Sequence, residues 1–368
     1  MNTSRKLISV LAISPYPNLA ASTRLRMSQH FETLKSRNIH VTLHPMLDDA
    51  TFQSLYNTRN LSVTIRGLSQ GIVRRFKEVP SYKQYDLLWV QREALIAGPP
   101  FFEWLSRVFG KLPMLLDLDD STWVSYTSPT YGRLSRVIKP QGKTNWLIRN
   151  SALVTCGSQY ICDYVEKIGT PSKLIPSCVN LDEYHPDPEC LGSPPVIGWI
   201  GTHSTWPSLK EILPVLERIA IDHDFVLRVI GHGNEAINTS IPHVEVREWS
   251  IQQEPQDFSA LDIGLYPISQ GPWAQGKSAL KSVQYMAAGV PFIASNLGEA
   301  ARIGQVGQTH LLASTPSEWY DSLKALLEDV SLRRRMGQSG RDHAIEYHDS
   351  RKIGRTIADI ICSLVDNT

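Results

Sequence analysis

Two lysines and a glutamine in the second half of the chain have the residue types and spacing to bind an anion. The segment QGKSALKSVQYMAAGVPFIAS, residues 275–295, places Lys277, Lys281 and Gln284 three and four residues apart, so in a helix they share one face. Gly276 precedes them, and a glycine lets an anion approach the backbone at a helix N-terminus, where free N–H groups favour negative charge. The segment predicts either an anion site or a solvated lysine face.

The composition is that of a globular chain without bulk charge. Of the 368 residues, 42% are hydrophobic and 20% are charged, and the net charge is only +1. This balance creates no field that attracts nucleic acid, so any anion site must be local. Five cysteines without a CxxC pair argue against a disulfide framework or a zinc knuckle. We therefore expect a cytoplasmic protein with no nucleic-acid partner.

One basic segment leaves contact with a membrane surface open. The apolar run near the N-terminus is too short for a secretory signal and is interpreted as a buried first strand. Residues 65–79, IRGLSQGIVRRFKEV, mix apolar and basic side chains as an amphipathic helix does. A solvated surface helix and a peripheral membrane helix both fit this pattern.

Strand-like and helix-like segments alternate along almost the whole chain. Continuous apolar strands separated by helices predict parallel sheets that are covered on both faces. A proline-rich stretch, residues 181–195, interrupts the alternation and is interpreted as a linker. The predicted fold class is α/β, with two tandem Rossmann-like doubly wound domains facing each other across a crevice at the carboxyl ends of their strands.

Three segments of the second half resemble parts of the family 4 retaining glycosyltransferases of the GT-B fold. They are VIGWIGTHST, like the first strand and donor loop of the family's second domain, LRVIGHG, like a later strand, and QYMAAGVPFIAS, like the donor-binding helix. The resemblance covers nearly the full chain. It implies an acceptor-binding domain over residues 1–180 with a crossover helix at 350–368, and a donor-binding domain over residues 196–349.

The resemblance also implies which residues of the second domain bind the donor. The family often has two glutamates here, and this chain has Gly276 and Gln284 at those positions; only Gln284 can still bond ribose hydroxyls through its side chain. Lys277 and Lys281 resemble a family variant written GKxxxK and would stabilise the charge of a leaving diphosphate. The implied donor-binding residues are Gly201, Thr202, His203, Ser204, Gly231, Gly233, Gly276 and Gln284.

The first domain carries the remaining candidates. In LLDLDDSTW, Asp119 stands where many family members have a histidine; contacts to sugar hydroxyls and a divalent ion are alternative roles for Asp119 and Asp120. Arg92 either faces the acceptor or forms an internal ion pair. SPYPNLAASTRLR takes the place of the family's glycine-rich loop but contains no glycine. The catalytic candidates are thus Lys277, Lys281 and Asp119, and the acceptor-side candidates are Asn18, Ser22, Thr23, Arg24, Arg92 and Asp120.

The predicted activity is transfer of a hexosyl unit, with retention at the anomeric carbon, from a nucleoside diphosphate sugar to an acceptor hydroxyl. We expect no cofactor and no metal, and a glycan, lipid-linked or small-molecule acceptor in the synthesis of a polysaccharide, glycolipid or other glycoconjugate. A glycosidase would need a second carboxylate opposite Asp119, and a dinucleotide-dependent oxidoreductase would need GxGxxG after the first strand. The alternatives are a catalytically weakened GT-B protein acting as a binding or scaffold subunit, and a nucleotide-sugar epimerase of the same fold.

Overall fold

The structure is a computed structural model that describes residues 7–55, 60–124, 142–186, 194–233, 235–271 and 273–367. The chain divides into two units. The first unit comprises Met1–Ser177 together with Ser350–Thr368, and the second comprises Cys178–Asp349. Within the described ranges, no helix is long and apolar enough to cross a bilayer.

The first unit is built on a parallel sheet of six strands in the order β2-β1-β3-β4-β5-β6. All residues of β3 and β4 are buried, as expected for central strands covered by helices on both faces. The strands are β1 (Ile8–Ser14), β2 (Ile39–Pro45), β3 (Leu87–Gln91), β4 (Met114–Leu118), β5 (Leu153–Cys156) and β6 (Ser172–Leu174).

Short helices surround this sheet. The segment TRLRMSQHFETLKSRN forms short helices instead of one, because the backbone of Met27 (φ −127°, ψ −69°) leaves the helical region. The helices described in the first part of the chain are α1 (Ala21–Arg26), α2 (Phe31–Lys35), α3 (Asp49–Gln53), α4 (Leu61–Glu78), α5 (Phe101–Leu105), α6 (Lys143–Arg149) and α7 (Gln159–Ile168).

The second unit repeats the architecture with strand order β12-β11-β10-β7-β8-β9, again parallel throughout. Its strands are β7 (Val196–Ile200), β8 (Val226–Ile230), β9 (Val244–Arg247), β10 (Ile263–Tyr266), β11 (Phe292–Ser295) and β12 (Leu311–Ala313). Its helices are α8 (Trp206–Ile219), α9 (Glu254–Ser259), α10 (Leu280–Ala288), α11 (Pro316–Glu328) and α12 (Val330–Tyr347).

The last helix, α13 (Ser350–Asp366), belongs to the first unit. Its apolar face, including Ile357 and Ile361, packs in the same core cluster as Leu34 of α2 and Ile39 of β2. The burial of this face explains the regular apolar spacing of the C-terminal sequence.

The predicted linker, residues 181–195, is only partly described, because residues 187–193 lie outside the described ranges. Its first residues are not a free connection: Leu181 and Tyr184 are buried in the core of the second unit. The two parallel six-stranded sheets with flanking helices confirm the predicted α/β fold class.

Candidate functional site

The loops that follow β7 and β8 lie directly against each other in the second unit. The backbone N–H of Gly201 donates to the carbonyl of Ile230 at 3.0 Å. Gly231 has φ +79°, and a Cβ at this position would lie 2.4 Å from the Gly201 carbonyl oxygen. Only glycine fits this left-handed, closely packed position. The predicted backbone approach at Gly231 is therefore present, but the group that approaches it here is another loop of the chain.

The second predicted glycine of this loop also packs against the chain itself. Gly233 has φ +91°, and a Cβ there would lie 3.3 Å from the Cβ of His203. His203 belongs to the loop after β7 and is partly exposed. The two glycine-containing loops thus form one surface at the carboxyl ends of β7 and β8.

The start of α8 presents hydroxyls and backbone donors at this surface. Thr202 and Ser204 are exposed, and their side-chain oxygens lie 2.8 Å apart. The Thr202 carbonyl accepts from the N–H groups of Thr205 and Trp206, both at 2.9 Å, which places these hydroxyls at the first turn of the helix. A helix N-terminus with adjacent hydroxyls suits a phosphate group, as the sequence predicted.

Helix α10 begins later than predicted, and this changes the position of the first lysine. The helix starts at Leu280, after a short turn over Ala274–Gly276. Lys277 is extended (φ −64°, ψ 133°), and Ala279 is left-handed with φ +51°. Because Lys277 lies outside the helix, the prediction that Lys277 and Lys281 share a helical face is wrong.

The two lysines also differ in their partners. The Lys281 ammonium is 3.8 Å from Oε1 of Glu254 and 5.0 Å from the centre of the Phe258 ring. Glu254 is buried and also accepts from the indole N–H of Trp249 at 3.1 Å. Lys277 is partly exposed, and its ammonium has no hydrogen-bond or ion-pair partner among the described residues. Lys281 thus shares its charge with a buried carboxylate, whereas the charge of Lys277 is available.

Gln284 lies inside the second unit. Its side chain is fully buried and donates from Nε2 to the Tyr184 hydroxyl at 2.9 Å. The other amide atom, Oε1, is a buried acceptor without a hydrogen-bond partner in the described part of the chain. Such unpaired acceptors are uncommon and are stabilised by a donor that reaches them. The ribose contact of Gln284 stays a prediction, and Gly276 contributes only backbone, since it is a buried residue of the preceding turn.

The carboxyl ends of β3 and β4 in the first unit hold a closed network of ion pairs. Arg92 donates from Nε and Nη2 to the two oxygens of Asp119, at 2.6 and 2.8 Å, and from Nη2 to Asp120 at 2.9 Å. Arg26 makes a similar bidentate contact with Asp117, at 2.6 and 3.0 Å. Of the two roles considered for Arg92, the internal ion pair is the one observed. All three carboxylates of the LLDLDD segment are engaged by arginines, which disfavours the divalent-ion alternative.

This network fixes the charge states of its members. Burial is the largest single influence on the Asp119 carboxyl and raises its pKa, but attraction to Arg92, the Arg92 hydrogen bonds and attraction to Arg26 together outweigh burial, so the pKa lies below its ordinary value. Burial acts against the Arg92 charge too, yet Asp119 and Asp120 raise its pKa well above the usual range. Arg92 adopts φ +60°, a left-handed backbone that is unfavourable for a side chain of this size. The bonds to Asp119 and Asp120 hold it there.

The loop after β1 is fixed by side-chain bonds instead of glycines. Thr23 is fully buried; its hydroxyl lies 2.6 Å from that of Ser14 and donates to the Tyr16 carbonyl at 2.9 Å. Thr23 therefore supports the loop and is not available to line a binding surface, contrary to the prediction. The other predicted side chains of this loop have accessible surface: Asn18, Ser22 and Arg24.

Sequence reasoning missed Glu254 and Tyr184, which contact two of the predicted residues. Glu254 opens α9 and meets Lys281, 27 positions later; Tyr184 comes from the segment interpreted as a linker and meets Gln284. No spacing rule connects residues so far apart in sequence. The acidic first turn of α9 was the only local signal.

Comparison with known proteins finds a glycosyl transferase family match within the second unit. Residues 194–329 match the sequence profile of the family described as "Glycosyl transferases group 1". A D-inositol 3-phosphate glycosyltransferase from Paenarthrobacter aurescens (strain TC1) is 32% identical over 80 residues, which is 21% of this chain and 20% of that protein. The chain therefore matches about a fifth of the length of this curated relative.

Several solved structures share the fold over nearly the whole chain. Sucrose-phosphate synthase from Thermosynechococcus elongatus matches with a TM-score of 0.71 and 15% identity, covering 98% of this chain and 100% of that one. Anabaena HepE in complex with UDP and glucose gives 0.69 and 14%, covering 97% and 100%. WaaG, a glycosyltransferase involved in lipopolysaccharide biosynthesis, gives 0.63 and 15%, covering 96% and 99%. The fold is that of the GT-B glycosyltransferases, with a group 1 glycosyl transferase segment in its second unit.

Proposed function

We propose that this chain is a retaining glycosyltransferase that moves a hexosyl unit from a nucleoside diphosphate sugar to an acceptor hydroxyl in glycoconjugate synthesis. The observation that carries the proposal is the available charge of Lys277, which lies in the segment that follows β10, the strand adjacent to β7 in the sheet. Ser269, after β10, lies 2.8 Å from Ser208 in the first turn of α8, so this segment contacts the start of α8. In this proposal an anion bound at the N-terminus of α8 contacts the hydroxyls of Thr202 and Ser204 and the charge of Lys277.

The proposed chemistry needs a stabilised leaving group. The bond from the anomeric carbon to the diphosphate oxygen breaks, a bond to the acceptor oxygen forms, and the acceptor's proton passes to the departing diphosphate. Negative charge grows on the leaving oxygen, and a positioned ammonium or backbone N–H that meets this charge lowers the barrier. Lys277 takes this role, and the N-terminus of α10, which no side chain caps, adds its backbone donors. Lys281 adds less, because Glu254 shares its charge.

The choice of donors to test comes from a structural neighbour. HepE structures hold UDP and UDP-glucose, which makes uridine nucleotides the first donors to test. Gln284 is fully buried, so in this proposal donor binding exposes its unpaired Oε1, to which a ribose hydroxyl then donates. The proposal requires neither cofactor nor metal, and its acceptor is a glycan, lipid-linked or small-molecule hydroxyl. Acceptor contacts of Asp119 and Asp120 stay a prediction, because Arg92 engages both carboxylates.

Donor binding and transfer test the proposal in two steps. Melting temperatures are measured with UDP, GDP and their sugars in EDTA; a ligand at a hundred times its dissociation constant adds about 2.7 kcal/mol. Transfer is then followed with a panel of acceptors, and the anomeric configuration of the product is read by NMR. We expect a shift with one nucleotide class and a product that keeps the donor's configuration. An inverted product contradicts retention, and activity lost in EDTA but restored by magnesium or manganese contradicts the metal-free mechanism.

A binding or scaffold subunit is the second candidate function. It is favoured by Gly276, which offers no side chain where the resembling family often has a glutamate. Such a protein would show the nucleotide-dependent shift without turnover on any acceptor. If no nucleotide or nucleotide sugar shifts the melting temperature, the donor site itself is wrongly assigned.

A further inference from the structure

Helix α4 buries an unusual face. A surface helix normally packs its apolar stripe against the protein and exposes its charges. Along α4 the buried residues are Gly67, Gly71, Arg75 and Glu78. A Cβ on Gly71 would lie 2.6 Å from the Met46 carbonyl oxygen, so the helix backbone rests closely on the loop after β2. The helix backbone is therefore closely seated, and of its large apolar side chains Leu68 packs inward, against the buried cluster that contains Met46 and Leu47.

The buried charges of α4 are satisfied within the first unit. Arg75 donates to Oε2 of Glu78 at 3.0 Å and to the carbonyls of Ser14 and Ala94, at 3.0 and 3.3 Å. Glu78 also meets His44 at 3.1 Å. A buried arginine with three acceptors fixes the rotation of the helix, because turning it would leave the charge unpaired.

Most of the large apolar side chains of α4 consequently point outward. Leu61, Ile65, Ile72 and Phe76 are 40–70% exposed and recur at spacings that place them on one side of the helix. Phe76 extends this surface to α5: its ring centre is 6.0 Å from that of Phe101, which is 5.9 Å from Trp104. We call the surface formed by residues 61–76 and 101–109 the α4–α5 face. It carries ten of the eighteen large hydrophobic side chains that are exposed in the described structure.

The accessible charges of the two segments that form this face are all of one sign. Residues 61–84 and 101–111 contain two acids, Glu78 and Glu103, and both are buried. Every lysine and arginine of these two segments except Arg75 retains accessible surface: Arg66, Arg74, Lys77, Lys83, Arg107 and Lys111. The neighbouring start of α3 adds two exposed acids, Asp48 and Asp49, of which Asp48 interacts with Arg74, so the balance of accessible charge remains positive. An apolar and aromatic surface bordered mainly by positive charge is complementary to a bilayer with anionic headgroups, into whose interface Trp, Phe and Leu insert.

We propose that the α4–α5 face docks the protein on the surface of an anionic lipid bilayer. The apolar side chains enter the interface between headgroups and acyl chains, and the six basic side chains contact the lipid phosphates. A second copy of this chain fits less well, because a two-fold interface would bring the same positive residues against each other. The proposal rests on this surface alone and does not depend on the proposed transfer activity.

Vesicle sedimentation with the full chain tests the proposal. Vesicles of phosphatidylcholine alone are compared with vesicles that also contain phosphatidylglycerol, at low and high salt. We expect binding to the anionic vesicles only, weakened by salt. Lys77→Glu and Lys111→Glu should each lower the vesicle affinity about fivefold or more at low salt. The double variant Phe76→Ser/Trp104→Ser should lower it about tenfold or more, since it removes the apolar insertion.

Matched controls come from β6, the edge strand of the same sheet that is farthest from β2 in the strand order. Leu174→Ser and Lys173→Glu change an exposed apolar and an exposed basic residue of β6, and both should leave vesicle binding unchanged. Melting temperatures show whether each variant is folded; if the aromatic double variant is not, the two charge variants decide. No binding to anionic vesicles, or equal binding by the variants, overturns the proposal. So does a dimer in light scattering that Phe76→Ser dissociates, because the face would then be an interface between copies.

Discussion

The two units have the same type of sheet, but the side chains at their strand ends differ: they are paired with each other in the first unit and available to a ligand in the second. At the ends of β3 and β4 in the first unit, Arg92 is fully engaged with Asp119 and Asp120. At the ends of β7 and β8 in the second unit, the chain has glycine turns and exposed hydroxyls. The segment after β10 adds Lys277, whose charge is available. A closed set of ion pairs stabilises a fold, whereas an available cation beside helix N-termini is suited to a ligand. The difference indicates that the second unit, and not the first, has strand ends suited to bind an anion.

The largest expected effect is loss of the closed network. Arg92→Ala leaves the buried Asp119 carboxylate without its bidentate partner and should lower the free energy of unfolding by about 3 kcal/mol or more, as measured by denaturant titration. Arg37→Ala is the matched control, since Arg37 also meets an aspartate at 2.6 Å but in an exposed pair with Asp359. It should cost at most about 1 kcal/mol. Equal losses in both variants would remove the distinction between a closed network and a surface pair.

The second-largest expected effect concerns Lys281, whose ammonium is already paired with Glu254. Lys281→Ala removes the ammonium that lies 3.8 Å from the buried Glu254 carboxylate and should cost about 1–3 kcal/mol of unfolding free energy. Adding Glu254→Gln should recover part of that loss, because it removes the buried negative charge that Lys281 compensates. If Lys281→Ala is neutral in stability, the Lys281–Glu254 contact does not hold the lysine and our division between the two lysines fails.

Acid should weaken the first unit through the Asp119 carboxyl. Its folded pKa is lowered, so its contribution to stability is complete above the unfolded pKa of about 4 and is lost as the pH falls through the lower folded value. Melting temperatures of the natural protein and of Asp119→Asn, recorded from neutral to acidic pH, should therefore differ most at neutral pH and converge in acid. A difference that grows on acidification would contradict the sign of the shift.

The smallest effect separates backbone strain from charge at Arg92. Arg92→Gly and Arg92→Ala remove the same guanidinium, but only glycine adopts φ +60° without steric cost. The glycine variant should be more stable than the alanine variant by about 1 kcal/mol. Equal stabilities in denaturant titration would mean that this backbone position relaxes once the side chain is gone.

The fold was predictable because its signal is local. Strands such as β3 and β4 are short apolar runs between helical segments, and each is read from its own residues. The site was predictable only in outline. The left-handed Ala279, which ends the turn and starts α10, has no signal in SALKSVQYMAA, because alanine normally favours a helix. The sequence therefore placed Lys277 one turn too far into the helix.

Contacts between distant residues explain the other differences. Arg92 and Asp119 are far apart in sequence but follow adjacent parallel strands, so their pairing was open to prediction once the strand order was known. The burial of Thr23 and Gln284 depends on Ser14 and Tyr184, which no periodicity connects to them. For α4, the pattern of residues 65–79 predicted an amphipathic helix, but it did not indicate that glycine, Arg75 and Glu78 would form the buried face.

The turnover of Lys277→Ala is the measurement that tests the central claim most directly. Turnover, donor affinity and melting temperature are compared with those of Lys210→Ala, whose exposed pair with Glu235 should matter little. Because the Lys277 contact strengthens as charge develops on the diphosphate, we predict a loss of about a hundredfold to a thousandfold in turnover, a smaller change in donor affinity, and an unchanged melting temperature. A fully active and normally folded Lys277→Ala enzyme would contradict the claim that this lysine stabilises the leaving group.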